Sequence, residues 1–362
     1  MLKKLPTDSW PFIQSFVQIS AAVIAILMNC LLSFLIIKKS PMSLGAYKYL
    51  MLYISVFEIG YAISDVLFRP EVYTKGDCWV VILDSQKTVV SRSVLYFFDV
   101  LWCGSFGISL ANFAVHFIFR YMAVIGNQKW TSTWSIFLYQ SASLIYGAFW
   151  MSLCHIFLKK SKVVDHFIQT QLEEFHGRDI DELAYLGFCF YELPDESGAQ
   201  NTRWHSVTGA CVFTGLLTVS STTMFVFGMK CYLKITNLVN LAIHSEQSRA
   251  IQYQMFFALV FQTLIPFVLM HIPGGLVYLC AIVGGADEVF GKTLVITISL
   301  FPALDPLPGM IIIADYRNAV KVFICSRLNR GITKNLLCCQ STSPIEPLHT
   351  TNQIGTKQSA TL

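Results

Sequence analysis

Charge is what this chain has least of. Only 13% of its 362 residues are charged, while 54% are hydrophobic and the mean hydropathy is +0.55. Soluble domains carry about a quarter charged residues, so composition excludes a soluble domain of useful size. Several motifs are missing as well. The eleven cysteines form no CxxC pair and no Cys/His spacing for a metal. Most sit alone in apolar runs, such as Cys30, Cys103, Cys154, Cys211 and Cys280, where cysteine is a small hydrophobe. There is no HExxH, no paired His–carboxylate spacing and no nucleophile motif, so neither catalysis nor a metal or other cofactor is expected, and nothing points to a nucleic-acid partner. No N-x-S/T sequon occurs, which excludes N-glycosylation. No internal repeat relates the two halves, which counts against transporters built from inverted repeats. The last apolar run has no central lysine, only Lys292 at its rim, which disfavours a retinal pigment.

What the chain does have is seven apolar runs, at about 12–37, 47–68, 93–118, 133–157, 206–229, 254–283 and 293–313. Each reaches the length of about 20 residues that a bilayer demands. Each must be helical, because backbone polar groups find no water there. The expected fold is an all-α membrane protein, a seven-transmembrane helix bundle. Lysine and arginine counts orient it. Segments 38–48, 119–132, 230–252 and 314–362 hold fourteen basic residues against three acidic ones, whereas segment 158–204 holds nine acidic and five basic. The expected topology is N-terminus outside and C-terminus cytoplasmic. Residues 1–11 form an extracellular N-terminus, 12–313 the bundle, 314–339 a juxtamembrane helix and 340–362 a polar tail expected to be disordered.

Two loop features stand out. Positions 163–186 in the acidic loop read as an amphipathic helix with a solvated charged face. Cys78 and Cys189 lie in outer loops, where an oxidising compartment would let them pair and pin the long loop over the bundle. On the inner side, residues 316–328 read as a short amphipathic helix on the membrane surface. Cys338 and Cys339 beyond it are either palmitoylation sites or unmodified thiols.

Four carboxylates fall inside the spans: Glu58, Asp65, Asp99 and Asp305. An intramembrane acid marks function or a polar contact between helices. Counting at about 1.5 Å per residue, Asn29, Glu58 and Asp305 reach one polar layer in the inner half of the bundle, suited to a two-state toggle. Asp305 lies among three prolines, Pro302, Pro306 and Pro308, each of which removes a backbone donor. Asp65 and Asp99 lie higher. With Trp102, Cys103, Phe106, Phe267, His271 and Thr297 they outline an outer cavity, although aromatics at helical spacing also serve as plain core. Pro266 and Pro273 kink the sixth span. At the inner end of the third span stands Phe119-Arg120-Tyr121, either a positive-inside anchor or a switch.

Taken together, these stretches resemble a known family. Met28-Asn29-Cys30-Leu31-Leu32, the run from Leu44-Gly45-Ala46-Tyr47 to Met51, Phe68-Arg69-Pro70, Phe119-Arg120-Tyr121, the run from Gln254 to Pro266, and Phe301-Pro302-Ala303-Leu304-Asp305-Pro306 through Tyr316-Arg317-Asn318 are similar to nematode serpentine seven-transmembrane chemoreceptors of the Str class. The resemblance runs from about residue 12 to 330. It departs at Met28, where a glycine is usual, at the extra Pro308, and at Phe119, which stands in place of the acidic residue that receptors coupled to G proteins place before Arg-Tyr. The resemblance implies a receptor for a small environmental chemical, such as an odorant, that activates a heterotrimeric G protein through movement of span 6. It also implies the plasma membrane, and in particular the ciliary membrane of chemosensory neurons. The alternative is a cation channel or transporter using the intramembrane carboxylates.

Overall fold

The chain in the computed structural model is described for residues 10–88, 90–177, 179–193, 201–240 and 246–331. Helix α1 spans Trp10–Lys39 and α2 Tyr47–Phe68. A hairpin follows, β1 Glu71–Lys75 and β2 Cys78–Asp84, then α3 Arg92–Val124 and α4 Thr133–Phe157. The long loop contributes α5 Lys162–Gln171 and β3 Leu183–Cys189. Then come α6 Trp204–Asn240, α7 Glu246–Pro266, a π-turn Phe267–His271, α8 Ile272–Ile282, α9 Glu288–Leu304, α10 Pro306–Ile312 and α11 Ala314–Gly331. Seven helical stretches among the described residues are long and apolar enough to cross a membrane: α1, α2, α3, α4, α6, α7 through α8, and α9 through α10. The expected seven-helix bundle is therefore present. From Val320 on the chain is a separate unit, described only as the helical part that ends at Gly331. Cys338 and Cys339 lie outside the described residues.

The helix ends follow local chemistry. Ser132 caps α4 by accepting from Ser135 N, Ser161 caps α5 by accepting from Val164 N, and Asp287 caps α9 by accepting from Val289 N. Pro266 cannot donate to the preceding turn, and the helix widens into the π-turn just after it.

The loops at one end build a sheet that the sequence reading missed. Strand order is β1-β2-β3, antiparallel throughout, and a disulfide joins Cys78 to Cys189, partners in the β2–β3 register. The expected helix over 163–186 is corrected: it stops at Gln171, and 183–189 is a strand. Side chains alternate across a strand, and here both faces are covered. Trp79, Val81, Leu83, Leu186 and Phe188 join the core of the bundle. Val80, Ile82, Leu183 and Tyr185 face the apolar side of α5, Val164, Phe167 and Ile168. A strand buried on both faces beats a charged helix that would bury only one.

This lid is tied down at several points. Gly76 and Ala286 exchange both backbone hydrogen bonds, at 2.8 and 3.0 Å. Thr74 Oγ1 donates to Asp287 O at 2.6 Å and accepts from Gly291 N at 3.0 Å. Gly291 has to be glycine, since a Cβ there would meet Val72 O at 2.4 Å. The phenol of Tyr185 donates to Asp165 of α5. At the lid edge Lys87 Nζ donates to Glu71 at 2.9 Å and also to Glu174, which accepts from the Tyr73 hydroxyl at 2.7 Å.

Burial alone would raise the Glu174 carboxyl, but the bonds from Lys87 and Tyr73 hold it below its ordinary value. Burial works against the Lys87 charge, yet Glu71 and Glu174 raise it above an ordinary lysine. Glu174 therefore adds stability that is complete above the ordinary glutamate value and lost as pH falls through its lowered one. Lys87 adds stability that is complete below the ordinary lysine value and lost as pH rises through its raised one. Thermal melts of the wild type and Glu174→Gln across pH should differ most between about pH 4.3 and about pH 10.4. The two curves should converge as the pH drops below that window.

Candidate functional site

Two sites lie at opposite ends of the bundle. Under the lid is a cavity of about 90 Å³. Its roof is Val72, Trp79 and Val81 of the sheet. Its walls are Tyr61 of α2, Trp102, Cys103 and Phe106 of α3, Trp150 and Cys154 of α4, and Phe213 of α6. Leu158 at the end of α4, Met270 of the π-turn, Gly274 and Tyr278 of α8, and Leu294 and Ile298 of α9 complete it. No Asp, Glu, Lys, Arg or His lines it, and the Trp79 indole N–H finds no protein acceptor.

Of the residues expected to outline an outer cavity, Trp102, Cys103 and Phe106 line this one. The others do not. Phe267 is 46% exposed on the outside of the bundle. His271 Nδ1 donates to Pro266 O at 2.9 Å, and its ring packs on Phe106 at 5.4 Å. It thus stands one layer behind the wall. Thr297 Oγ1 is spent on Leu294 O at 3.0 Å. Asp65 accepts from Ser299 Oγ at 2.6 Å, tying α2 to α9. Asp99 is fully buried, and neither of its oxygens has a hydrogen-bond donor among the described residues.

The polar layer lies deeper. Pro306 has no N–H for the carbonyl of Pro302, four residues before it. Asn29 supplies one instead: its Nδ2 donates to Pro302 O at 3.0 Å and to Ala25 O at 3.1 Å. Asp305 is wholly buried and keeps helical geometry, its N–H bonded to Phe301 O, so the proline-rich stretch bends the span without severing it. Gln262 Nε2 reaches Asp305 O and Oδ2, both at 3.3 Å. The Glu58 carboxyl faces that of Asp305 and lies beside Asn29. The structure thus brings Asn29, Glu58 and Asp305 together.

At the far end, Arg120 is 1% exposed. Its Nη2 donates to Gln252 Oε1 of α7 at 2.7 Å, and its guanidinium stands 5.1 Å from the Tyr47 ring centre. Phe119, where an acid would pair locally with Arg120, instead stacks on Tyr47 at 5.7 Å and meets Tyr139 edge-on. The Tyr47 hydroxyl lies 3.2 Å from His116 Nδ1. Tyr121 meets Phe227 of α6 edge-on at 5.7 Å. A third glutamine of α7, Gln254, accepts from Ala314 N at 3.0 Å.

Sequence reasoning missed Tyr47, Gln252, Gln254 and Gln262. The signal was available: polar amides in an otherwise apolar run at 252, 254 and 262.

The chain is similar to known proteins over most of its length. A family model described as "Serpentine type 7TM GPCR chemoreceptor Str" matches residues 14–321. The chain is 33% identical over 310 residues to "G-protein coupled receptor str-217" of Caenorhabditis elegans, covering 84% of this chain and 88% of that one. It is 27% identical to "Serpentine receptor class r-10" of Caenorhabditis briggsae, covering 85% and 89%. Squid rhodopsin shares the fold with a TM-score of 0.57 at 9% identity, over 92% of this chain and 90% of that one.

Removing the Asn29 amide strands the Pro302 carbonyl in a dry interior. Asn29→Ala should lower stability by about 1–3 kcal/mol, read as a reduced melting temperature of detergent-purified protein. Asn29→Gln should recover less than half of it, because the longer arm overshoots.

Proposed function

The chain belongs to the serpentine seven-transmembrane chemoreceptor family Str, a family of G-protein-coupled receptors, and from that premise we propose that it senses a small uncharged molecule in the cavity under the lid and signals to a heterotrimeric G protein from the opposite end. The observation that carries the reading is the cavity itself. Seven aromatic rings and no charged side chain line it, so it favours an apolar ligand and penalises an ion. Its volume of about 90 Å³ fits a molecule of a few heavy atoms. An acceptor on that molecule would satisfy the Trp79 indole. This is the chemistry of a volatile odorant, and the reading places the receptor in the plasma membrane of a chemosensory cilium.

The sheet end is taken as extracellular. A disulfide needs an oxidising compartment, and the basic residues crowd the other end. The cytoplasmic readout is the contact between Arg120 and Gln252. It replaces the local ion pair that Phe119 makes impossible, and it restrains the α7 half of span 6. A ligand that binds better when α7 is released shifts the population toward the signalling form. The small apolar cavity and the separation of the acids disfavour a cation channel. Glu58 and Asp305 pair, while Asp65 is tied to Ser299 and Asp99 stands apart on α3.

Two variants separate the ends. Gly274 lines the cavity and a Cβ there meets nothing within 4 Å. Gly274→Leu should therefore start its side chain in open space and take up volume in the cavity. In cells expressing the receptor at equal surface levels, with a panel of small neutral volatiles and a G-protein readout, the effective concentration should rise about tenfold or more. An unchanged response would remove the cavity from the mechanism. Gln252→Ala should raise ligand-independent signalling and leave ligand selectivity alone. A lowered basal signal would show that the contact holds the active form instead.

A further inference from the structure

A second cleft lies at the lid end, outside the bundle core. It measures about 750 Å³ and opens between the start of α3, the end of α4 and strand β3. Arg92, His155, Lys159 and Lys160 contribute to its lining, and the one acid there among the described residues, Asp181, is held by Lys160 at 3.6 Å. Among the described residues, Arg92 and Lys159 have neither an ion pair nor a hydrogen bond from their side chains. Their charge is left over. The first turn of the 33-residue α3 adds to it: Ser91 makes no side-chain cap there, so the positive end of the helix faces the cleft uncompensated.

Apart from Ser93, the remaining walls are apolar or amphipathic: Leu95, Tyr96, Leu183 and Ala184. The adjoining surface of the same two spans is apolar and open, with Val94 42%, Phe97 60% and Ile156 49% exposed. A cationic head site beside a lipid-facing apolar strip has the two-part chemistry of an amphiphile. We propose that this cleft binds a membrane amphiphile with an anionic carboxylate or phosphate head, the head seated between Arg92 and Lys159 and the tail lying along α3 and α4. The site shares no lining residue with the cavity under the lid, so it is a place for a lipid to act on the receptor and not a part of the odorant pocket.

The test uses the full chain in phosphatidylcholine nanodiscs, which expose both faces and make the result independent of membrane orientation. Phosphatidylglycerol is titrated in, and lipid retained after release is counted by native mass spectrometry. One phosphatidylglycerol per protein should be retained. Arg92→Ala with Lys159→Ala should weaken retention about thirtyfold, the loss expected from two basic contacts to acidic lipid. Lys38→Ala with Lys39→Ala removes the same charge from the other end and should change nothing. Arg92→Lys with Lys159→Arg keeps the charge and should keep binding. Equal retention by the wild type and the Arg92/Lys159 alanine pair, or equal loss in both alanine pairs, overturns the proposal. So does loss of binding in the charge-keeping pair. Displacement of the lipid by millimolar inorganic phosphate would make the cleft a free-anion site and reject the amphiphile. Melting in phosphatidylcholine alone should match the wild type for every variant, since all four residues are exposed. None of these readouts involves an odorant or a G protein, so their failure leaves the receptor reading standing.

Discussion

A proline inside a membrane span creates a carbonyl with no donor, and no water is at hand to help it. Much of this bundle follows from how that debt is met at Pro302. Pro306 removes the donor, and Asn29 provides another from a different helix. That one bond fixes the register of α1 against α9. It also sets Asn29 beside Glu58, whose carboxyl must face Asp305 on the same proline-bent stretch. Two carboxyl groups side by side in a dry interior need a positive partner between them, a proton or a cation. Gln262 closes the layer from α7. Four spans meet at one bent stretch of chain, so none of them shifts there without disturbing the rest.

The lid solves a different problem with a related device. A loop over an apolar cavity would expose backbone polar groups to an interior that cannot satisfy them. Strand pairing satisfies them within the loop, and period-two side chains then serve two cores at once. Trp79 and Val81 roof the cavity while Val80 and Ile82 hold α5. Covering both faces lets a small sheet be rigid, and the close approach of β1 to Gly291 couples that rigidity to the span carrying Asp305.

The legibility of these features differs for physical reasons. The seven spans were plain, because bilayer thickness imposes length and composition on every helix. The meeting of Asn29, Glu58 and Asp305 was within reach of counting, because rise per residue converts position into depth. The strands were not read. Cys78-Trp79-Val80-Val81-Ile82-Leu83 is apolar throughout since both faces are buried, and it carries no alternation to see. Charged residues between 173 and 182 disguised the end of α5. The cavity wall was read only in part. In a membrane every helix face is apolar, so pattern cannot tell Trp150 facing inward from Phe267 facing outward. The glutamines of α7 were visible as outliers, but their partners on α3, α9 and α11 come from tertiary packing alone.

The proposed mechanism also has to be energetically possible, and the two ends can be compared. Three glutamine contacts hold α7: to Arg120, to Ala314 N and to Asp305. Each net hydrogen bond is worth about 1 kcal/mol, somewhat more where a charge takes part. Releasing α7 therefore costs a few kcal/mol, less whatever water recovers at its exposed end. The best small ligands gain up to about 1.5 kcal/mol per heavy atom. A few atoms in the cavity are thus enough to oppose the restraint, provided the gain differs between the two forms. The covalent route between the ends is one span: Met270, Gly274 and Tyr278 touch the cavity, and Gln262 and Gln252 carry the restraint. Between Gln262 and the cavity residues of α8 stand Pro266 and the π-turn, where the regular backbone ladder is already interrupted. In the proposed mechanism a hinge there costs little, so contacts made above it would reach Gln252 as a change of angle, not as a rupture of the helix.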